Sequence, residues 1–230
     1  MYEQQAHSQL NRILDRLKPE IRKRDLRNFY TRLGANFYAI HSLFHRLYGH
    51  RDDFEDQALR LVSVMASQYI ARSSSLKALD IAREHDHQWF LRQEWVGMAL
   101  YLDGFAGNLQ GLESSVPYLQ ELGVNMIHVM PILESPPEAS DGGYAVSDFR
   151  NINKRAGTLE ELTSLASKLR RRQMLLTLDV VVNHASNQHE WTQRARRGEQ
   201  TYIDYFYIFD NRDIPDLFEE TMPEVFPETA

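Results

Sequence analysis

Apolar and polar positions change rhythm near Trp89 to Trp95. Upstream, apolar residues recur every three or four positions. Leu10, Ile13, Leu14, Leu17 and Ile21 form one stripe, and Phe54, Ala58, Leu61, Val62, Met65 and Tyr69 form another. Breakers are scarce here (Pro19, Gly34, Gly49), which predicts long helices. Ser73-Ser74-Ser75 offers a hydroxyl cap for a last helix running towards His87. Residues 1–90 therefore read as an all-helical domain.

Downstream, helical and strand patterns alternate. Residues 96–101 form a short apolar strand, and Gly104, Gly107 and Gly111 punctuate a loop. Val116, Leu119 and Leu122 give a helical stripe in which Pro117 suits only the first turn, and Gly123 suits the position just past its end. Residues 124–130 are a second strand, stopped by Pro131. A long loop rich in Pro, Gly and acids then occupies 132–157. Thr158-Leu159-Glu160-Glu161 has the spacing of a capping box, opening a helix with Leu162, Leu165, Ala166 and Leu169 on its apolar face. Residues 175–182 form a third strand, apolar nearly throughout, as in a parallel strand covered on both faces. Strand, helix, strand, helix, strand predicts a parallel sheet, either open and doubly wound or part of a barrel.

Charge and composition narrow the function. The 26 basic and 32 acidic residues leave a net charge of -6, which argues against nucleic acid as a partner. Arg22-Lys23-Arg24 and Arg170-Arg171-Arg172 read as solvated helix faces. Cysteine is absent, so no disulfide or thiolate metal site forms. Met1-Tyr2-Glu3-Gln4-Gln5 lacks the pattern of a signal peptide, and no apolar run reaches the roughly 18 residues of a membrane span. The expectation is a cytoplasmic protein without a membrane partner.

Candidate chemistry gathers at the strand ends. Asp179 falls in an otherwise apolar strand, where a carboxylate needs a partner. Spacing leaves two roles open: a structural ion pair with an Arg, or a catalytic acid or nucleophile. Asn183 and His184 sit at the exit of that strand, where parallel α/β folds place ligand sites, although a loop-capping role also fits. Asp141-Gly142-Gly143-Tyr144 lies in the long loop on the same face; it is either an acidic turn or a sugar contact through the Tyr144 ring and the Asp141 carboxylate. Gly104-Phe105-Ala106-Gly107 lacks the pattern of a phosphate loop. His41 and His45 have metal-ligand spacing but no third ligand, and they read as core or surface histidines, as do His85 and His87. The run Tyr202, Tyr205, Phe206, Tyr207 and Phe209 reads as packing.

Together these segments resemble glycoside hydrolase family 13, the α-amylase family. Leu178-Asp179-Val180-Val181-Val182-Asn183-His184 is similar to that family's first signature on the third barrel strand. Met130-Pro131-Ile132 with Gly143-Tyr144-Ala145-Val146-Ser147-Asp148-Phe149 is similar to its second strand and substrate loop. Within the family, the helical N-terminal domain, Ser140-Asp141-Gly142-Gly143-Tyr144-Ala145-Val146-Ser147 and Asn183-His184-Ala185-Ser186-Asn187-Gln188-His189-Glu190-Trp191 resemble amylosucrases and sucrose hydrolases. Tyr207-Ile208-Phe209 and Glu224-Val225-Phe226-Pro227 continue the likeness.

The resemblance implies an α/β fold: a helical domain over 1–90, the first three β/α units of a (β/α)₈ barrel over 91–184, and the start of an inserted B domain over 185–230. It implies that Asp179 orients the centre, with Asn183 beside it, that His184 binds a glucosyl hydroxyl, and that Tyr144 stacks on the same ring. Asp141 would pair with a downstream Arg. Neither cofactor nor metal is implied; Asn183 matches a Ca²⁺ ligand of many α-amylases, but amylosucrases generally lack that site. Sucrose and an α-glucan are the implied substrates. The family's nucleophile and acid/base contexts do not occur in these 230 residues. The expectation is an inactive N-terminal portion whose open sheet edges favour self-association. A sucrose or trehalose hydrolase or isomerase, and a non-catalytic carbohydrate-binding protein, are the alternatives.

Overall fold

A computed structural model describes residues 2–17, 23–138 and 140–221. The chain divides into two compact units, Met1–Trp89 and Phe90–Ala230.

The first unit is helical: α1 (Tyr2–Leu17), α2 (Lys23–Tyr48), α3 (Phe54–Ala71) and α4 (Ser74–His85). Ala6, Leu10 and Ile13 of α1 meet Phe29, Leu33 and Phe37 of α2 and Ala58, Val62 and Ala66 of α3. The buried rows repeat every three or four residues because that spacing aligns side chains on one helix face. The α3 stripe is narrower than the sequence predicts. Ala58, Val62 and Ala66 are its buried line, and Leu61 falls off it to the solvent side. Ile21 of the α1 stripe lies outside the described residues. Helix α4 starts at Ser73, whose hydroxyl accepts from the Leu76 N–H at 3.3 Å, and stops at His85, two residues short of His87. No α4 residue is buried; Asp80 pairs with Arg72 at 2.8 Å and Glu84 with Arg32 at 2.5 Å. The Arg32–Glu84 pair, exposed on both sides, contributes at most about 1 kcal/mol. No helix among the described residues is long and apolar enough to cross a membrane.

The second unit runs β1 (Gly97–Leu100), α5 (Leu102–Ala106), α6 (Leu109–Glu121), β2 (Met126–Val129), β3 (Leu133–Glu134), β4 (Asp148–Ile152), α7 (Leu159–Arg171), β5 (Leu175–Leu178), α8 (Glu190–Arg196), α9 (Gln200–Ile203) and α10 (Asp213–Thr221). Strands β1, β2 and β5 form a parallel sheet in that order, and β3 pairs with β4 antiparallel. Leu112, Val116 and Leu119 of α6 and Leu165 and Leu169 of α7 pack with Leu100, Ile127 and Val129 in one core. The Thr158–Glu161 capping box forms in both directions and fixes the start of α7.

Four sequence expectations are corrected. Residues 102–106 are helical (α5), so the predicted glycine loop shrinks to the turn around Gly107, at φ 79°. Helix α6 begins at Leu109 because Asn108 accepts from the Gly111 N–H at 2.8 Å; Pro117 therefore lies inside the helix, and Leu122 ends it with 57% of its surface exposed. The stretch 132–157 is not all loop: it holds β3 and β4, because Leu133 and Ile152 carry the apolar positions of a short pair. The third strand ends at Leu178, not at 182. Its partner β2 stops at Val129, just before the turn at Pro131, so β5 loses its ladder at the same level, and Val180 and Val182 are exposed.

Candidate functional site

Parallel strands deliver their C-terminal ends to one side of the sheet. Three chemistry-bearing residues arrive there: Tyr101 just after β1, His128 within β2 and Asp179 just after β5. His128 pairs in register with Thr177, two residues before Asp179, so the His128 and Asp179 side chains project to the same face. The Asp179 N–H still donates to the Val129 carbonyl at 3.3 Å, which fixes the backbone beneath the carboxylate.

Asp179 Oδ1 lies 2.7 Å from His128 Nε2, and the Tyr144 hydroxyl donates to Asp179 Oδ2 at 2.8 Å. An ionised carboxylate only accepts, so Nε2 of His128 carries the proton. The hydrogen bond from His128, then that from Tyr144, holds the Asp179 carboxyl below its ordinary pKa. The same bond to Asp179, with desolvation and the negative charge behind it, pushes the Tyr144 phenol up to about 12. The Arg partner anticipated for Asp179 is thus replaced by His128 and Tyr144.

Tyr144 is presented by a glycine turn. Asp141–Gly143 forms a short 3₁₀ turn with Gly142 at φ 57° and Gly143 at φ 90°. A Cβ on Gly142 would sit 2.9 Å from the Tyr101 hydroxyl, and one on Gly143 would sit 2.9 Å from the Pro131 carbonyl oxygen. The turn therefore threads between Tyr101 and Pro131, where only glycine fits. The Asp141 backbone belongs to this turn, while its side chain lies outside the described residues.

His184 closes the group from the other side. Its Nε2 lies 3.2 Å from the Tyr144 carbonyl oxygen, and Asn183 Nδ2 lies 3.4 Å from its Nδ1. Asn183 Nδ2 is a donor, so Nδ1 accepts and Nε2–H donates to Tyr144. Both side chains are exposed. The structure thus brings Tyr144, Asp179, Asn183 and His184 together, and adds His128 and Tyr101. The signal for His128 was in the sequence: one polar side chain inside Met126-Ile127-His128-Val129.

Other candidates do not join this site. His41 is buried and its ring lies 5.9 Å from that of His45; burial, then His45, holds its pKa below the ordinary value. Among the described residues no three His, Asp or Glu side chains gather as metal ligands would. The aromatic run is split: Tyr202 and Tyr205 pack, with Tyr205 edge-on to Trp191 at 5.3 Å, whereas Tyr207 is 90% exposed. Glu224-Val225-Phe226-Pro227 lies outside the described residues. Chemically, the cluster is a fixed anion flanked by donors and aromatic faces, a combination that suits a polyhydroxylated ring.

Comparison with known proteins bears on this arrangement. The sequence profile of the alpha amylase catalytic domain matches residues 56–228, starting within α3. An alpha-glucosidase of Schizosaccharomyces pombe is 48% identical over 97 residues, which is 42% of this chain and 16% of that protein. An oligo-1,6-glucosidase of Bacillus sp. (strain F5) is 36% identical over 109 residues, 47% of this chain and 21% of the relative. Among solved structures, the trehalulose synthase MutB from Pseudomonas mesoacidophila MX-45 is 35% identical, covers 52% of this chain and 23% of that one, and gives a TM-score of 0.47. The chain matches only 16% to 21% of the length of those two curated relatives.

Proposed function

Because the chain belongs to the α-amylase family, glycoside hydrolase family 13, we propose that it builds the sugar-ring half of the site of an amylosucrase-like retaining transglucosidase. Such an enzyme cleaves sucrose, releases fructose and transfers the glucosyl group to an α-1,4-glucan. The observation that supports this reading is the His128–Asp179–Tyr144 cluster, with His184 bonded to the Tyr144 backbone. It lies at the end of the parallel strands where barrel enzymes of this kind hold substrate.

In this reading a glucosyl hydroxyl takes over the His184 Nε2–H from the Tyr144 carbonyl and Tyr144 offers its ring face, while Asp179 holds the tyrosine in place. Asp141 closes the subsite by pairing with an Arg elsewhere in the enzyme. A retaining reaction needs a nucleophile and an acid/base carboxyl about 5–5.5 Å apart. By the family resemblance Asp179 is not one of that pair but a supporting carboxylate, bound to His128 and Tyr144. The reacting pair is supplied by barrel strands beyond the three described, and the 230-residue chain binds the glucosyl ring without turning it over.

The names of the relatives favour a second reading within the same family, a glucosidase acting on α-linked glucosides. Both readings share the same ring contacts and differ at the leaving-group side. One experiment tests the shared part: sucrose and isomaltose are titrated into the purified chain, with the ring signals of Tyr144 and His184 followed by NMR and reducing sugar measured in parallel. Shifts at both residues without fructose release are expected. No shift overturns the sugar reading, and fructose release overturns the assignment of the reacting carboxylates to other strands. A preference for isomaltose favours the glucosidase.

A further inference from the structure

We propose that His189 is a positioning residue for the sugar site, an inference that rests on the reading above: its imidazole pins the 183–189 loop and so fixes where His184 meets the Tyr144 segment.

His189 is only 6% exposed. Its ring lies 5.3 Å from that of Phe149 and 4.5 Å from that of Trp191, and those two stack on one another at 5.9 Å. A buried imidazole among aromatic rings loses solvation and must use its nitrogens well. His189 Nδ1 accepts from the Trp191 N–H at 3.0 Å, which caps the start of α8. That role requires the neutral ring with its proton on Nε2. Burial supports it by holding the pKa down, against the opposing charges of Asp148 on β4 and Glu190 on α8.

From this anchor an unbroken chain of bonds leads to the site. The His189 N–H donates to the Ser186 carbonyl at 3.0 Å, and the Thr192 hydroxyl donates to the same oxygen at 2.9 Å. The Ser186 N–H donates to the Val146 carbonyl at 2.8 Å, tying the loop to the segment that carries Tyr144. The Val146 N–H in turn donates to the Tyr144 carbonyl at 3.2 Å, the same oxygen that lies 3.2 Å from His184 Nε2. Ser186 and Val146 are both buried, so water does not compete for these bonds. His184 is exposed and held at its tip; what fixes its backbone is the turn that His189 closes. His189 touches no reacting group and acts only through this turn.

Amide exchange in the 230-residue chain tests this, using His189→Leu, which keeps bulk without the acceptor, and His189→Asn, which keeps an acceptor at the cap. Leu should speed exchange of the Trp191 and Ser186 amides about fivefold, the size of a lost helix cap, and shift the His184 ring signal. Asn should restore both. Unchanged amides and an unchanged His184 signal in the Leu variant overturn the proposal. So does an Asn variant that exchanges as fast as the Leu variant. If the core amides of Ile127 and Val129 also open in the Leu variant, the Asn variant decides alone: native exchange supports the acceptor role, and loss overturns it. A sucrose titration of the unsubstituted chain keeps the two claims apart, because the positioning claim fails on the amides and the sugar reading fails on a silent His184.

Discussion

The two ends of the parallel sheet use polar side chains in opposite ways. At the N-terminal end, Asn125 serves the backbone. Its Oδ1 accepts from the Val96 N–H at 2.8 Å, its Nδ2 donates to the Glu94 carbonyl at 2.7 Å, and its own carbonyl accepts from the Leu175 N–H at 2.8 Å. One residue thus stitches the starts of β1, β2 and β5. At the C-terminal end, the Asp179 carboxylate binds His128 and Tyr144, side chain to side chain, and these bonds hold no strand backbone. The first arrangement spends polarity on holding strands together. The second holds a charge, a phenol and an imidazole in fixed relation where a ligand can reach them.

If both ends hang on one core, emptying that core removes both. Leu112 is fully buried in the packed cluster of this unit. Leu112→Ala should cost about 2–5 kcal/mol in denaturant unfolding of the second unit. The Tyr144 and Val96 environments should be lost in the same transition. Separate transitions would break the comparison, because the ends would then be independent pieces.

Asn125→Ala separates the ends more finely. It removes two side-chain bonds and should cost about 1–3 kcal/mol. The Tyr144 phenol should nonetheless keep its titration near 12, because none of its partners is touched. A fall in that titration would show that the stitching end sets the geometry of the other.

Much of this contrast was readable in the residues, and the unread part has a common cause. The Thr158–Glu161 box, the glycine after α6 at φ 85° and the tight turn at Gly142-Gly143 are local devices, and local spacing reveals them. Asp179, Asn183 and His184 were visible because a charge in an apolar run is anomalous wherever it falls. What spacing did not reveal was partnership. His128 and Asp179 lie 51 residues apart and meet only through strand order and register. Pro117 misled about the start of α6 because the cap at Asn108 outweighs the bond that proline cannot make. Residues 148–152 were hidden because Phe149 and Ile152, three apart, break the alternation of a strand, and because turn-forming residues surround them.

Asp179→Asn tests the chemical end directly. The amide keeps an acceptor but loses the charge that opposes ionisation of Tyr144. The phenol should then titrate below about 12, towards its ordinary 10, as read by phenolate absorbance. The sign for stability follows. A phenol raised in the folded chain contributes below pH 10, and the contribution is lost as pH rises towards 12. The unsubstituted chain should therefore weaken over that window more than the Asn variant does. A Tyr144 titration unmoved by the substitution would mean that desolvation alone raises it.

The smallest effect sharpens the comparison most, because the side chain that stitches the N-terminal end, Asn125, carries no charge to lose in acid. Asp179 has a folded pKa below its ordinary value, so its contribution is present above about pH 4 and is lost as pH falls through the folded value. His189 also has a lowered folded pKa, but it is a base: the unfolded chain binds its proton first, so stability drains away as pH falls below about 6.5. Both losses fall on the C-terminal end. Asn125 does not titrate, and its bonds are indifferent to this range. Amide exchange followed from pH 7 to pH 4, corrected for intrinsic rates, should accelerate first at Trp191 and Ser186, while Val96 and Leu175 hold. Equal acceleration at both ends would mean that acid acts through the shared core, and the polar end would then have no independent response to protons.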